Sequence, residues 1–324
     1  MTSPLLVIIC THNPRKEYLR ATLAGLRNQS LPATAWNLLL VDNASAEPVS
    51  GWVDLAWHPH ASIVNEPMVG TAQARHRALR EAAAVGAGLI LFVDDDNILE
   101  PDYLVQGLQL GADWPQLGAW GGQLLPRYEM PPPDWLGRYL NYLAITPLAT
   151  DRWTNCVHSY DMVPPTAGCF LRPAVWRRYL VLVSAEPRRL TLGAHGGEPV
   201  RGEDTDLVLT AIDLNLGLGR FRALRLDHLI PAGRFDPHYV ARLVCGTALG
   251  IGLMEYIRFQ RIPRKAGPSR LERLLLDWRA RRLPEPHRSI LLAELRGRAE
   301  ARRTIMGWRQ APAEADLRPA TIQP

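Results

Sequence analysis

Lysine is nearly absent from this chain of 324 residues: of 37 basic side chains, only Lys16 and Lys265 are lysines. The four cysteines (Cys10, Cys156, Cys169 and Cys245) form no CxxC pair. That argues against a zinc site and fits buried thiols in a reducing cytoplasm. No GxxxxGK[ST] run exists, which excludes the phosphate-binding loop of NTPases. No GxGxxG follows the first apolar run, which removes ordinary dinucleotide binding. An aspartyl-phosphate hydrolase would want an aspartate pair on its first strand and a lysine downstream, and only Lys265 follows. The N-terminus lacks a basic region, and LLVIIC (5–10) has strand length, so no secretory signal is expected. The most apolar long run, LVCGTALGIGLM (243–254), falls short of the roughly 20 residues a membrane span needs. No internal repeat is found. With 47% hydrophobic and 21% charged residues, the chain reads as one large globular domain with an appendage, or as two domains.

Charge is unevenly spread. From Arg258 to Pro324 there are sixteen basic against seven acidic residues, while the preceding part carries twenty-one against twenty-five. A basic tail on a slightly acidic body suits an anionic surface, although arginines that merely solvate helix faces would give the same count. Nucleic acid is disfavoured, because no aromatic-and-basic stacking platform accompanies the charge.

What is present begins with LILFVDDDNILEP (89–101), an apolar strand ended by three aspartates. Buried unpaired carboxylates cost several kcal/mol, so the triplet belongs at the strand's exit. If strand geometry persists, Asp94 and Asp96 share a side and suit a hard cation such as Mg2+ or Mn2+. A solvated turn is the other reading of the same residues. Further strands are expected at 5–10, 37–42 and 61–66, with helices at about 15–28 and 71–86 and another opened by Pro101. Continuous apolar strands between helices mean a mostly parallel sheet covered on both faces, with ligands beyond the strands' carboxyl ends. Thr11-His12-Asn13, Asp42-Asn43, Asn65-Glu66 and the aspartates all fall on that edge. Downstream lie a strand at 119–126, a helix holding Trp135 and Tyr139, a short strand after PPTAGC and a helix from Ala174. GEDTDLVLTAIDLNLG (202–217) starts a helix with Glu203 and Asp204 at its N-terminus and stops at a glycine, Asp206 capping it or facing solvent. A last strand (220–227) delivers His228 to a loop. Beyond 236 the chain should be helical, broken at Pro263, Pro268 and Pro284, with a disordered final dozen.

The ordered set VIICTHNP, LLLVDNAS, GTAQARHRAL, LFVDDDNILEPDYL, GCFLRP, GEDTDL and HLIPAGRF resembles the inverting family 2 glycosyltransferases of the GT-A fold. The resemblance spans about residues 5–240, so residues 1–235 are expected to be the GT-A domain and 236–324 a basic helical extension. It implies a nucleotide-diphospho-sugar donor, UDP- or GDP-linked, and a hydroxyl acceptor that is a glycan or lipid-linked. It places the nucleoside at Thr11, Asn13 and Asp42, the diphosphate near Arg75, and Mg2+ or Mn2+ at Asp94 and Asp96. Asp95 turns from the metal toward the ribose. Asp204 is the expected general base, with Glu203 second. The resemblance also implies a further metal or phosphate contact at His228 and a phosphate contact at Arg234. Gly168 and Cys169 line the acceptor loop, whose variable part is the irregular 126–166 region. His76 departs from the family, where asparagine usually follows the arginine.

Chemistry independent of that likeness agrees. A sugar leaving a diphosphate builds negative charge that a divalent ion stabilises, and the acceptor hydroxyl must lose a proton to a carboxylate on another segment. Two alternatives stay open: a catalytically silent GT-A domain serving as a scaffold, and a sugar nucleotidyltransferase, although CTHNPRKE is not the Gly-rich basic loop the latter carries. The expected location is the cytoplasm, with the tail's helices touching the inner membrane leaflet.

Overall fold

The computed structural model describes residues 5–195, 197, 200–263 and 282–310. Lys265, the break expected at Pro268 and the final dozen residues lie outside the described residues.

Strand β1 (Leu5–Thr11) shows why the sheet is covered twice. Leu5, Val7 and Ile9 pack with Leu19 and Leu23 of α1 (Lys16–Arg27). Leu6 and Ile8 face the other way, onto Ala78 and Leu79 of α2 (Thr71–Ala84). Successive side chains point to opposite faces, so a strand apolar at every position needs helices on both. Strands β2 (Trp36–Asp42), β3 (Ala61–Asn65) and β4 (Ile90–Asp94) run parallel to β1 in the order β3-β2-β1-β4. The register sets Thr11 opposite Asp42, Asp42 opposite Asn65, and Cys10 opposite Asp94. The polar strand ends therefore do share one edge.

Past β4 the sheet becomes mixed. It continues through β5 (Asn97–Leu99), β6 (Leu117–Tyr128), β8 (Cys169–Leu171) and β9 (Gly217–Ile230) in the order β4-β8-β6-β9-β5, with β7 (Arg152–Thr154) on β9. β6 and β9 pair in parallel, whereas β8, β5 and β7 are antiparallel to their neighbours. Only two residues, Asp95 and Asp96, separate β4 from β5, and β5 leaves β4 to pair antiparallel with β9. The strand is thus broken at the aspartates, and a turn, not strand alternation, decides where Asp95 and Asp96 face.

Several boundaries differ from the sequence expectations. Helix α3 (Tyr103–Asp113) begins two residues past Pro101. A 3-10 helix (Asp134–Leu143) carries Trp135 and Tyr139, and α4 (Pro173–Ala185) starts at its proline. Helix α5 (Glu203–Asp213) ends before Asn215, whose φ of 59° makes the turn, so Gly217 opens β9 and does not stop the helix. β9 runs to Ile230, which puts His228 inside the strand, opposite Asn97 and Pro126.

Helix α6 (Pro237–Phe259) has 23 residues and a mean hydropathy of 1.4, long and apolar enough by length and composition to cross a membrane. The run at 243–254 understates it, because Tyr239, Val240, Tyr256 and Ile257 extend the apolar character. Met254 and Ile257 pack into the core beneath α2, α4 and α5, and Val240 and Leu243 join Leu136 and Ile290. Helix α7 (His287–Gln310) contributes Ala301 and Ile305 to the same core as the sheet. α6 passes so close to the entry of α5 that a Cβ on Gly250 would collide with the Arg201 carbonyl oxygen. Only glycine fits there.

Candidate active site

Beyond the carboxyl ends of β1 and β4 opens a cavity of about 320 Å³. The acidic turn forms one wall. The backbone N–H of Asp94 donates to Asn97 Oδ1 at 3.2 Å, and Asn97 Nδ2 donates to Asp96 Oδ1 at 3.1 Å. Asn97 is wholly buried, so it shapes the turn from behind. Asp96 Oδ2 accepts from Arg234 Nη2 at 2.9 Å and lies 3.4 Å from His228 Nε2. Asp95 accepts from the Thr11 hydroxyl. Asp94 is more open than Asp96: its side chain keeps 46% of its surface against 11%, and it lies 3.7 Å from Arg75.

The N-terminus of α5 forms another part of the wall. Glu203 is buried and accepts from Arg75, so one guanidinium on α2 joins the two acidic groups. Asp204, one residue on, faces the cavity and, among the described residues, accepts only from the N–H (2.7 Å) and hydroxyl of Thr205. Asp206 corrects the sequence expectation: it is fully buried and clamped by Arg189 and by Arg258 of α6. Glu203 and Asp206 share the helix's inner face at i,i+3, while Asp204 is rotated off it. Arg258, counted with the basic tail, is an interior ion pair with Asp206 and Asp213.

Thr11, Arg75, Asp94, Asp95, Asp96, Glu203, Asp204, His228 and Arg234 all line the cavity. Asn13 and Asp42 do not. Asp42 accepts from the N–H groups of Ser45 and Val49, and Asn13 accepts from Ala46 N–H at 2.8 Å, so both brace the 43–49 loop. A carboxylate next to a turn finds backbone donors before it finds a ligand. His12 and Asn43 take their place in the wall, His12 Nδ1 lying 2.6 Å from the Asn43 carbonyl oxygen. Gly168 holds a tight turn at φ 74°, its carbonyl accepting from Tyr103, and Cys169 is buried; Pro165, Thr166 and Ala167 meet the cavity instead. His76 is not in the wall. Sequence reasoning misses His12, Asn43, Asn97, Thr166 and Arg201 as site residues, although the polar strand-end clusters already contain the first two.

Five carboxyl groups and three arginines surround this space. Burial raises the Asp94 carboxyl against the pull of Arg75. It also raises Glu203 against Arg75, and, with the charge of Asp96, pushes Asp95 up to about 7. Asp96 alone goes down, because His228 and Arg234 outweigh its burial. The wall is thus short of positive charge. Among the described residues no three His, Cys, Asp or Glu side chains are grouped to hold a metal ion by themselves. That donor set still fits Mg2+ or Mn2+, which commonly takes one or two carboxylates and completes its shell from phosphate oxygens and water.

A sheet of this order, with acids at the strand ends and a second acidic group on a neighbouring helix, defines a GT-A type glycosyltransferase. The family model described as glycosyl transferase family 2 matches residues 6–159. Over that region, just under half of its length, the chain is similar to glycosyl transferase family 2, and it is a glycosyltransferase. Among solved structures it is similar to the mannosyltransferase PcManGT from Pyrobaculum calidifontis in complex with GDP-Man and Mn2+, with a TM-score of 0.56 and 16% identity over 96% of this chain and 89% of that one. S. aureus TarS 1-349 in complex with UDP-GlcNAc gives 0.48 and 14% identity over 95% and 92%. No curated protein sequence matches the chain.

Proposed function

We propose that the protein transfers a sugar with inversion from a UDP- or GDP-linked donor to a hydroxyl acceptor. The observation that carries this reading is the meeting, in one cavity, of the strand-end aspartates with Arg75 and the acids of α5. Asp94 and Asp96 would hold Mg2+ or Mn2+, with His228 behind Asp96; when bound, the ion neutralises the charge that develops on the departing diphosphate. Arg75 and Arg234 offer cationic N–H groups to the same phosphates. Thr11 and Asp95 face the ribose side. The base is Asp204. Glu203 is held in a buried ion pair by Arg75, whereas Asp204, among the described residues, accepts only from its neighbour Thr205 and can take the acceptor's proton. The complex of the similarly folded PcManGT with GDP-Man and Mn2+ is in keeping with a nucleotide-sugar donor and a divalent ion.

A panel of UDP- and GDP-sugars, assayed for transfer and hydrolysis with Mn2+, tests the reading. Turnover of one donor by wild type is expected, and inertness toward the whole panel would favour the scaffold reading. The proposed location is the cytoplasm, at the inner leaflet. Exposed Arg296, Arg298, Arg303 and Arg309 of α7 support it. Because α7 packs into the core, co-sedimentation with anionic vesicles should compare wild type with charge-reversed α7, not with a truncated chain; equal binding would remove the idea.

A further inference from the structure

Asp94 and Asp96 each have a guanidinium beside them, and the two pairs are built differently. Arg75 stands 3.7 Å from Asp94, but its main anchor is buried Glu203, so it keeps a counter-charge whatever Asp94 does. Arg234 has no such second anchor. Asp96 is its one acidic ion-pair partner among the described residues, with Nη2 lying 2.9 Å from Oδ2. The Arg234 side chain stands on a short 3-10 turn (Ala232–Phe235) and keeps 27% of its surface. Asp96, by contrast, is fixed from behind. Buried Asn97 donates to its Oδ1 at 3.1 Å and in turn accepts from the backbone N–H of Asp94. Oδ2 is left for other partners, and Arg234 and, at 3.4 Å, His228 Nε2 already meet it.

We propose that Arg234 is an exchangeable counter-ion: it holds Asp96 Oδ2 until a nucleotide-sugar arrives, then moves to the diphosphate and yields that oxygen to the divalent ion. This rests on the donor and cation reading above. A divalent ion on Oδ2 would stand close to the guanidinium, and like charges so near one another in a largely buried wall repel strongly. A metal alone must therefore break the Arg234–Asp96 pair without return. A diphosphate changes that balance, because it offers the arginine fork new anionic oxygens. Metal and nucleotide then favour one another's binding, and by linkage each raises the other's affinity by the same factor. Arg75, tied to Glu203, adds a constant field and takes no part in the exchange.

Mn2+ titrations of the full chain, followed by the loss of the free ion's paramagnetic resonance signal, test this with and without UDP or GDP. Arg234→Gln should bind Mn2+ alone roughly tenfold more tightly than wild type, yet no more tightly once nucleotide is bound, so the coupling shrinks by the same factor. Arg234→Lys keeps the charge and should bind Mn2+ alone with near wild-type affinity. Arg201→Gln removes the same charge from the cavity wall, with no ion pair to Asp96 among the described residues, and should change Mn2+ affinity little. If Arg234→Gln melts below wild type, Arg234→Met supplies the same loss of charge on a side chain of similar length. Unchanged or weaker binding of Mn2+ alone by the folded neutral variant, or an equal gain from Arg201→Gln, would overturn the exchange. Mn2+ binding that depends on nucleotide but is indifferent to Arg234 removes the exchange alone; no Mn2+ binding with or without nucleotide removes the cation reading with it.

Discussion

Two acidic groups meet in this cavity and are organised by opposite means. Asp94, Asp95 and Asp96 leave a strand into a turn, and all three stay at the cavity, each with its own partner: Arg75, Thr11, and Arg234 with His228. Glu203, Asp204 and Asp206 start a helix, whose 3.6-residue period sends them to different places. Glu203 turns to Arg75, Asp204 to the open cavity, and Asp206 inward to Arg189 and Arg258. A turn keeps neighbouring charges together, so their repulsion remains and invites a cation. A helix sorts them into separate tasks, and one task is purely structural: Asp206 fastens the helix that carries Asp204 to α6.

That contrast can be broken by single substitutions. Asp96→Ala should have the largest effect, lowering nucleotide-sugar turnover to background, by about a thousandfold or more, with the protein still folded. Near wild-type transfer would end the metal role. Asp204→Asn should lower transfer by roughly 10²–10⁴-fold while nucleotide binding persists, measured by steady-state kinetics beside calorimetry. Full activity would move the base to Glu203. Asp206→Asn should act on the fold, destabilising it by about 3–5 kcal/mol in denaturant melts because buried Arg189 loses its counter-charge and Arg258 is left with Asp213 alone. Unchanged stability together with lost activity would bring Asp206 into the chemistry. Glu203→Gln should have the smallest effect, a loss of roughly tenfold in transfer as Arg75 loses an anchor.

The strand-end wall of the cavity was legible because its signals are local. An apolar run that ends in acids reports its own strand and its own exit, and the parallel register brings four such exits into line. The helix acids were harder to read. Asp206 resembles a cap in the sequence because its partners lie 17 and 52 residues away, among many other arginines. The same distance hides the inward side of α5, and with it the fact that Arg258 belongs to the interior and not to a basic tail. Asn13 and Asp42 stand outside the cavity and brace a loop, which their composition does not reveal because ligand-binding and loop-bracing residues look alike at strand ends. Asn97 looks like one more turn residue, and only its burial shows that it shapes the acidic wall.

The most direct test of the central claim is titration of UDP and GDP into wild-type and Asp94→Asn protein, each with Mn2+ and with EDTA. One nucleotide should bind the wild type at least tenfold more tightly with Mn2+, and Asp94→Asn should erase that difference. Equal nucleotide affinity in Mn2+ and EDTA, or a metal effect untouched by Asp94→Asn, would contradict a cation held between these aspartates and the donor's diphosphate.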